Sequence, residues 1–365
     1  MKICFLTGQL SNGGAERVIS VIASKLAEQG KDVWLYVFAR CENEYKVSPK
    51  VKLESMCNSQ DEYEKLGIYF RLSKLRKYLK RVRPEIAVGF LQAGYAMYIA
   101  SFGMNIKRVA SVRVAPEKME EYAYGLRKKL EQRWFSNADA VVIQCEEQRK
   151  YGEQRNWKNI SVIGNPLGEN IQSIPKHLHR ERCQDIVMAG RLEEQKNYEM
   201  AIKAIAYLSK EGLAFTLHIY GTGSKREELE ELAGKLGVKS QVIFHGWSKN
   251  VVEEYRKYDI YLMTSDFEGM PNSLMEAMAN GMLCVSTECP TGPKDLLEDK
   301  KEGFLIPPGE EHLLAETLKN IRNMPKSERE LIGEKARNKI LCHYNEEKIA
   351  KCWEALFLQL VERRI

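Results

Sequence analysis

Residues 266–281 read DFEGMPNSLMEAMANG and hold two glutamates, Glu268 and Glu276, on either side of a helix start at Pro271 and Asn272. A helix beginning there aims the N–H groups of Ser273 and Leu274, and the positive end of its dipole, at whatever lies in front, which suits a phosphate. Glu276, in the first two turns, could accept hydrogen bonds from ribose hydroxyls, and Glu268 on the preceding loop could accept them from a sugar. The plainer alternative is a pair of acids stabilising their own helix dipole. A second stretch, AGRLEEQKNY at 189–198, puts Arg191 and Lys196 just past an apolar strand, at the edge where open α/β sheets bind ligands. A guanidinium fork and a mobile ammonium can neutralise a diphosphate, the first bidentately and the second as a point charge. Alone, such a pair is usually a solvated loop. With the acidic stretch in the same half of the chain, it forms a site for a diphosphate and its two sugars. Near the start, SNGGAERV carries Gly13 and Gly14, which let a backbone approach a phosphate and begin a helix aimed at it. The spacing matches neither G-x-G-x-x-G nor G-x-x-x-x-G-K-[ST], and a tight turn explains the glycines equally well.

These side chains need a scaffold, and the chain supplies strands alternating with amphipathic helices, the pattern of parallel sheets covered on both faces. Strands are predicted at 2–7, 33–39, 85–90, 108–114, 138–145 and 159–166, with helices over 14–29 and 69–82. Residues 167–184 lack periodicity and mix Gly, Pro, His and charge, which marks an interdomain linker. The pattern then restarts with strands at 185–191, 215–221, 242–246, 259–265 and 284–287 and helices over 197–210, 225–237, 251–258 and 272–281. A last helix, 345–361, carries Ile349, Trp353, Leu356, Phe357 and Leu360 on one face and needs something to pack on. The chain is therefore α/β, with two Rossmann-like domains: 1–168 joined by 345–365, and 169–344.

Composition excludes several classes. Hydrophobic residues at 44%, charged residues at 29%, 11 Pro and 25 Gly rule out disordered, collagen-like and low-complexity chains. No apolar run nears the ~18 residues of a membrane span, and the apolar run before Gly8 is too short for a signal-peptide core. The expected location is the cytoplasm or the inner face of the cell membrane. Nine cysteines without C-x-x-C spacing argue against zinc or disulfides and for small buried hydrophobes. Six histidines form no ligand motif, and none of the eight aspartates lies two from another, so no D-x-D metal motif exists. No metal and no cofactor are expected.

The stretches together resemble the family 4 retaining glycosyltransferases of the GT-B fold. The resemblance covers essentially the whole chain: the GGAE loop, the turn Gly164-Asn165-Pro166, AGRL with Lys196, and EGMPNSLMEAMANG with its E-x₇-E spacing. It implies two Rossmann-like domains with parallel sheets facing across a cleft, and a C-terminal helix crossing back to the first. It implies that Arg191, Lys196 and Gly190 bind the donor diphosphate, Glu276 the nucleotide ribose and Glu268 the donor sugar. It further implies that Phe244–Trp247, with Gly246 and Trp247 foremost, surround the base. Gly269, Met270, Pro271, Asn272, Ser273 and Leu274 line the donor, and Gly13 and Gly14 approach its phosphates. Family members often carry a histidine after the fourth strand of the first domain; Arg113 of ASVRVAPE stands there instead. Arginine does not deprotonate and cannot be a general base. Arg113 is read as a contact to a donor phosphate or an acceptor anion, against the alternative of a strand-end surface charge, and Glu117 as a weaker candidate near the acceptor. Arg191, Lys196, Glu268 and Arg113 are the expected catalytic set, the cations replacing a metal at the leaving diphosphate.

Charge is uneven. Residues 1–168 hold 28 Lys and Arg against 18 Asp and Glu, a net of +10, whereas residues 169–365 hold 28 against 32, a net of −4. The basic stretch RLSKLRKYLKRVR at 71–83 has seven Lys and Arg and no acid, with Leu72, Leu75, Leu79 and Val82 at helical spacing. It is either a solvated face over core contacts or a surface for anionic lipid. A second cluster, Arg127, Lys128, Lys129 and Arg133, is interleaved with Tyr122, Tyr124, Leu126, Leu130, Trp134 and Phe135 in an interfacial mixture. RNA-recognition motifs are absent, so nucleic acid is not an expected partner. The expected function is transfer of a hexose or N-acetylhexosamine from a nucleotide-diphosphate sugar to a lipid-linked or polysaccharide acceptor in cell-surface glycan synthesis, with an anionic membrane surface as a further partner. UDP is the favoured nucleotide, GDP-mannose stays open, and CPTGPKDLL at 289–297 resembles galactose-type transferases. A nucleotide-sugar epimerase of the same fold and a non-catalytic sugar-nucleotide-binding protein are the alternatives.

Overall fold

The computed structural model describes residues 1–11, 13–90, 93–121, 125–168, 171 and 174–362; between 119 and 131 the only side chain described is that of Lys129. The chain forms two compact units, Met1–Glu169 with Tyr344–Ile365, and Asn170–His343.

The first unit is built on β1 (Lys2–Thr7), β2 (Asp32–Ala39), β3 (Lys52–Cys57), β4 (Ile86–Phe90), β5 (Lys107–Ser111), β6 (Ala140–Ile143) and β7 (Ile160–Val162). All pair in parallel, in the order β3-β2-β1-β4-β5-β6-β7. Central strands buried on both faces must be nearly continuous apolar runs, and KICFLT, IAVGF and AVVI are such runs. Along β1, Ile3 and Phe5 enter one core while Cys4 and Leu6 enter the other.

The last helix, Glu346–Glu362, closes the first of these cores. Its residues Ile349, Ala350, Trp353, Leu356, Phe357 and Leu360 recur at three- and four-residue spacing and are all buried there. Trp353 is fully buried, edge-on to Phe5 at 6.3 Å and stacked on Phe90 at 6.3 Å. Ion pairs from Lys25 to Glu346 (3.0 Å) and from Lys31 to Glu354 tie it to the helix Gly14–Glu28 and the turn after it. The expected return of the final helix to the first unit is thus observed.

The second unit is built on β8 (Asp185–Ala189), β9 (Thr216–Tyr220), β10 (Val242–Gly246), β11 (Ile260–Met263), β12 (Leu283–Thr287) and β13 (Phe304–Ile306), again all parallel, in the order β10-β9-β8-β11-β12-β13. Described residues of the stretch expected as a linker pack on this unit: His177 and His179 are buried, and the His177 N–H donates to Asn280 O at 2.8 Å. Burial, with the His179 ring and the Arg180 charge nearby, holds the His177 ring neutral, its pKa pushed down to about 3.

Several expectations are corrected. Trp134 and Phe135 are core residues, Phe135 stacking on Trp157 at 4.7 Å, and so contribute nothing to an interfacial surface. Lys129 and Arg133 are exposed; Tyr122 and Tyr124, and the side chains of Leu126, Arg127, Lys128 and Leu130, lie outside the described residues. The strand expected over 108–114 ends at Ser111, before Arg113. Six cysteines are buried as expected, but Cys342 and Cys352 are exposed. Among the described residues no helix is long and apolar enough to cross a membrane.

Replacing Trp353 by Ala is expected to lower the stability of the first unit by about 3–5 kcal/mol, the usual cost of a large aromatic cavity. Urea unfolding of Trp353→Ala and Trp353→Phe checks this, the phenylalanine variant losing less because it keeps a ring against Phe5 and Phe90.

Candidate active site

In the second sheet the strand order reverses between β8 and β11, and such reversals open a crevice at the C-terminal strand ends. The two strands share only the register pairs Ile186 with Ile260 and Val187 with Tyr261, then diverge. The loops that follow them fill the gap and are stitched to each other. Thr264 Oγ1 lies 3.0 Å from Lys196 O and 2.8 Å from Asn197 O, Gln195 Nε2 donates to Phe267 O at 2.8 Å, and the Asp266 N–H donates to Gln195 O at 2.9 Å. Asn197, at φ 44°, donates to Asp266 Oδ1 at 2.9 Å while its own Oδ1 accepts from the Met200 N–H at 3.2 Å, capping the helix Tyr198–Lys210.

At the centre, Lys196 Nζ lies 2.5 Å from Glu268 Oε1, with side-chain exposures of 17% and 9%. Ser265 Oγ donates to the same carboxylate oxygen at 2.7 Å, and Thr291 Oγ1 donates to the Glu268 carbonyl. Two glycines make this approach possible. Gly292 sits at φ 95°, where a Cβ would fall 2.6 Å from Gly269 O; Gly221 sits at φ 142°, where a Cβ would fall 1.8 Å from Gly190 O.

The helix Asn272–Asn280 begins beside this pair. Its Met275 N–H bonds back to Pro271 O at 3.2 Å, so the Ser273 and Leu274 N–H groups precede the first such bond. Tyr261 donates to Ser273 Oγ at 2.8 Å, and burial pushes its phenol well above the ordinary range, keeping it a donor. Glu276 is buried in the second turn. Gly269, Met270, Pro271 and Leu274 are buried, and Asn272 and Ser273 half-buried. Gly190 is half-buried, its carbonyl accepting from Tyr198 Oη at 3.1 Å. Arg191 is exposed and stands outside the Lys196–Glu268 pair, with no hydrogen bond or ion pair from its guanidinium among the described residues.

Further along the sheet, Gly246 ends β10 at φ 75° and Trp247 is 66% exposed. Phe244 packs against the core with the Arg226 guanidinium 5.7 Å over its ring, so it is not an open wall. Beside Gly246, His245 stacks on Tyr220 at 4.4 Å and its Nε2 lies 3.0 Å from His218 Nδ1.

In the first unit, Gly13 caps the helix Gly14–Glu28 and Gly14 is exposed. A Cβ on Gly13 would fall 1.8 Å from Glu16 Oε2, so this helix start is covered by its own acid, a glutamate at the third helical position reaching back. Arg113 is buried rather than a surface charge, and Glu117 is exposed. Sequence reasoning missed Thr264, Ser265, Gln195, Asn197 and Thr291. Ser265, three residues before Glu268, and Asn197, three before Met200, have a partner near enough in sequence to suggest them; Thr291 reaches Glu268 from 23 residues away.

The profile of glycosyl transferases group 1 matches residues 170–339, and that of glycosyltransferase family 4 matches residues 12–167. The chain belongs to the family 4 glycosyltransferases. Among relatives of this transferase is the Campylobacter jejuni GalNAc-alpha-(1->4)-GalNAc-alpha-(1->3)-diNAcBac-PP-undecaprenol alpha-1,4-N-acetyl-D-galactosaminyltransferase, 28% identical over 91% of this chain and 92% of that one. Another is the Salmonella typhimurium lipopolysaccharide 1,6-galactosyltransferase, 24% identical over 85% of this chain and 86% of that one. HepE from Anabaena, solved in complex with UDP, superposes with a TM-score of 0.80 at 18% identity over 98% of this chain and 100% of that one. The transferase has the GT-B fold that such neighbours share.

Removing one member of a mostly buried ion pair leaves the other without its counter-charge. Lys196→Ala is therefore expected to lower the stability of the second unit by about 3–5 kcal/mol, and the double variant Lys196→Met/Glu268→Leu to recover most of it. A double-mutant cycle in urea measures both.

Proposed function

We propose that this transferase is a retaining enzyme that moves a hexose or N-acetylhexosamine from a UDP-sugar to a lipid-linked or polysaccharide acceptor of a bacterial cell surface, the second unit binding the donor and the first the acceptor. The observation that carries this reading is the Lys196–Glu268 pair in the β8–β11 crevice beside the N-terminus of the helix Asn272–Asn280. Cleaving a sugar–phosphate bond leaves negative charge on the departing diphosphate and positive charge at the anomeric carbon. Lys196, Arg191 and the Ser273 and Leu274 N–H groups would stabilise the diphosphate as fixed charges and dipoles, with no change of protonation and no metal. Glu268, whose Oε2 has no partner among the described residues, would accept from a sugar hydroxyl, and Glu276 from the ribose. The acceptor oxygen would bond to the anomeric carbon on the face the diphosphate leaves, its proton passing to the departing phosphate oxygen. The UDP in the HepE structure and the diphosphate-linked acceptor in the Campylobacter relative's name support the donor and acceptor classes.

Peripheral binding to the inner face of the cell membrane belongs to the same proposal. In the helix Ile68–Val82, Leu75, Tyr78, Leu79 and Val82 are buried. Arg71, Arg76 and Arg81 are tied to Glu64 O, to Ala100 O and Phe102 O, and to Glu54. Much of the basic stretch therefore serves its own unit. What supports a lipid surface is the helix start, where Ile68, Tyr69 and Phe70 are 53%, 88% and 54% exposed, together with Phe102 at 72% and the exposed Lys77 and Lys80.

Two measurements test these claims. Donor hydrolysis across a panel of nucleotide sugars is expected to peak with a UDP-sugar and to fall about 100-fold in Lys196→Ala; Glu276→Ala should mainly raise the donor KM. Undiminished hydrolysis in both variants, with the fold verified by circular dichroism, would sink the site assignment. Separately, Tyr69→Ser/Phe70→Ser should co-sediment less with phosphatidylglycerol vesicles at unchanged UDP affinity, and unaltered sedimentation would remove the membrane claim.

A further inference from the structure

Arg113 lies two residues past the end of β5, at the C-terminal edge of the first sheet and beside β4, one of the two strands at that sheet's own reversal. It is 9% exposed, and the described groups that hold it are neutral. Nε donates to Ser111 Oγ at 2.8 Å, Nη1 donates to Asn165 Oδ1 at 2.9 Å with Ile163 O at 3.5 Å, and Nη2, also buried, has no hydrogen-bond partner among the described residues. Asn165 Oδ1 also accepts from Gln144 Nε2 at 2.9 Å, and the Gln144 N–H is fixed by Gln148 Oε1 at 2.8 Å. The guanidinium lies 5.2 Å from the Phe90 ring and 5.5 Å from the Trp353 ring. Among the described residues no carboxylate acts on it; burial pulls its pKa down to about 9, so it stays a cation at neutral pH.

A buried charge without a counter-charge costs several kcal/mol, and aromatic faces and amide oxygens recover only part of that. A purely structural role at this position is met more cheaply by a neutral side chain. Among the described residues no acid of its own unit meets the orphan Nη2, which leaves that nitrogen for a counter-ion brought by a ligand.

We propose that Arg113, positioned by Ser111, Asn165, Gln144 and the ring of Trp353, is the cation of an anion subsite on the first unit that takes a phosphate group of the acceptor. This rests on the transferase reading above. A phosphate fits because Nη2, the nitrogen left over once Nε and Nη1 are bonded, can donate charge-assisted hydrogen bonds to its anionic oxygens. The acceptor, rather than the donor, is the source because the second unit carries its own cations, Lys196 and Arg191, and its own helix N-terminus for the donor diphosphate. The acceptors this subsite selects are sugars attached through a phosphate or diphosphate, and a neutral glycoside would not use it.

The test compares the full-length wild type with Arg113→Gln, Arg113→Lys and the double variant Arg191→Ala/Lys196→Ala. The first readout is the melting temperature with and without saturating inorganic pyrophosphate. Arg113→Gln should be at least as stable as wild type without ligand and should lose a part of the pyrophosphate-induced rise that Arg191→Ala/Lys196→Ala retains. The second readout is steady-state kinetics. Arg113→Gln should raise KM for a diphosphate-linked acceptor about 10- to 100-fold, as loss of a charge-assisted hydrogen bond predicts, with Arg113→Lys intermediate. UDP affinity by calorimetry and KM for a neutral glycoside acceptor should stay within about twofold of wild type, a difference near the scatter of single-site effects. A large loss of stability in both Arg113 variants would make the residue structural. An unchanged pyrophosphate effect in Arg113→Gln, or an equal rise in donor and neutral-acceptor constants, would overturn the proposal. If wild type turned over no acceptor at all, the transferase reading would fail by itself, and the pyrophosphate shift would still decide whether Arg113 binds an anion.

Discussion

Everything in the second unit is arranged around the contact between Lys196 and Glu268. β8 and β11 are joined at their N-terminal ends, where buried Asp259 accepts the Gln184 and Asp185 N–H groups at 2.9 and 3.0 Å, and they part beyond Tyr261. A crevice between diverging strands would expose backbone polar groups. Here the two loops fill it and satisfy each other through Thr264, Gln195 and Asn197. The ion pair sits where those loops meet, so its electrostatics and the loop conformation are one constraint. In this state Lys196 is already neutralised by Glu268. In the proposed donor site a diphosphate arriving at the crevice would compete for the ammonium with a carboxylate held in place by Ser265, meeting an ammonium already oriented and largely desolvated.

The first unit uses the chain end in an equivalent way. Trp353 belongs to the core through Phe5 and Phe357 and to the polar strand ends through Arg113. The choice of arginine has a physical basis. A guanidinium is more weakly hydrated than an ammonium and lies against aromatic faces, so a lysine in the same place would hold its charge there less well. The last helix and the environment of Arg113 therefore share one side chain, Trp353.

How much of this was legible in the sequence follows from how local the determining interactions are. The central strands and the helices Gly14–Glu28, Ile68–Val82 and Glu346–Glu362 carried strong apolar periodicity and are present within a residue or two of expectation. β3 was not anticipated because KLESMC is an edge strand with only Met56 and Cys57 buried, and β13 because it has three residues. The helix Lys326–His343 escaped notice since its buried face includes Arg329 and Gly333, which spoil the apolar stripe. At the site, the glutamates and basic residues were visible as types and spacing. That Lys196 and Glu268 touch was not, because 72 residues separate them. The burial of Arg113 was hidden for the same reason: its partners Phe90, Asn165 and Trp353 come from three distant segments, and a strand ending at Ser111 rather than at 114 changes which way residue 113 faces.

Net charge locates less than the individual environments do. The excess of +10 in residues 1–168 suggests a surface waiting for an anion, yet several of its most conspicuous members are spent on carbonyls and on Glu54 within the unit. Arg113 contributes one charge to that total and, though buried, has no carboxylate partner among the described residues. An exposed cation is hydrated and screened within about 8–10 Å at ordinary salt, so it attracts broadly and discriminates little. A buried one keeps its field, has already lost its water, and is directed by fixed neighbours. Long-range attraction to an anionic surface and selection of one phosphate are thus separate tasks, and the two proposals assign them to different residues of the first unit: exposed lysines and aromatic side chains around Ile68–Phe70 to the former, a single enclosed guanidinium to the latter.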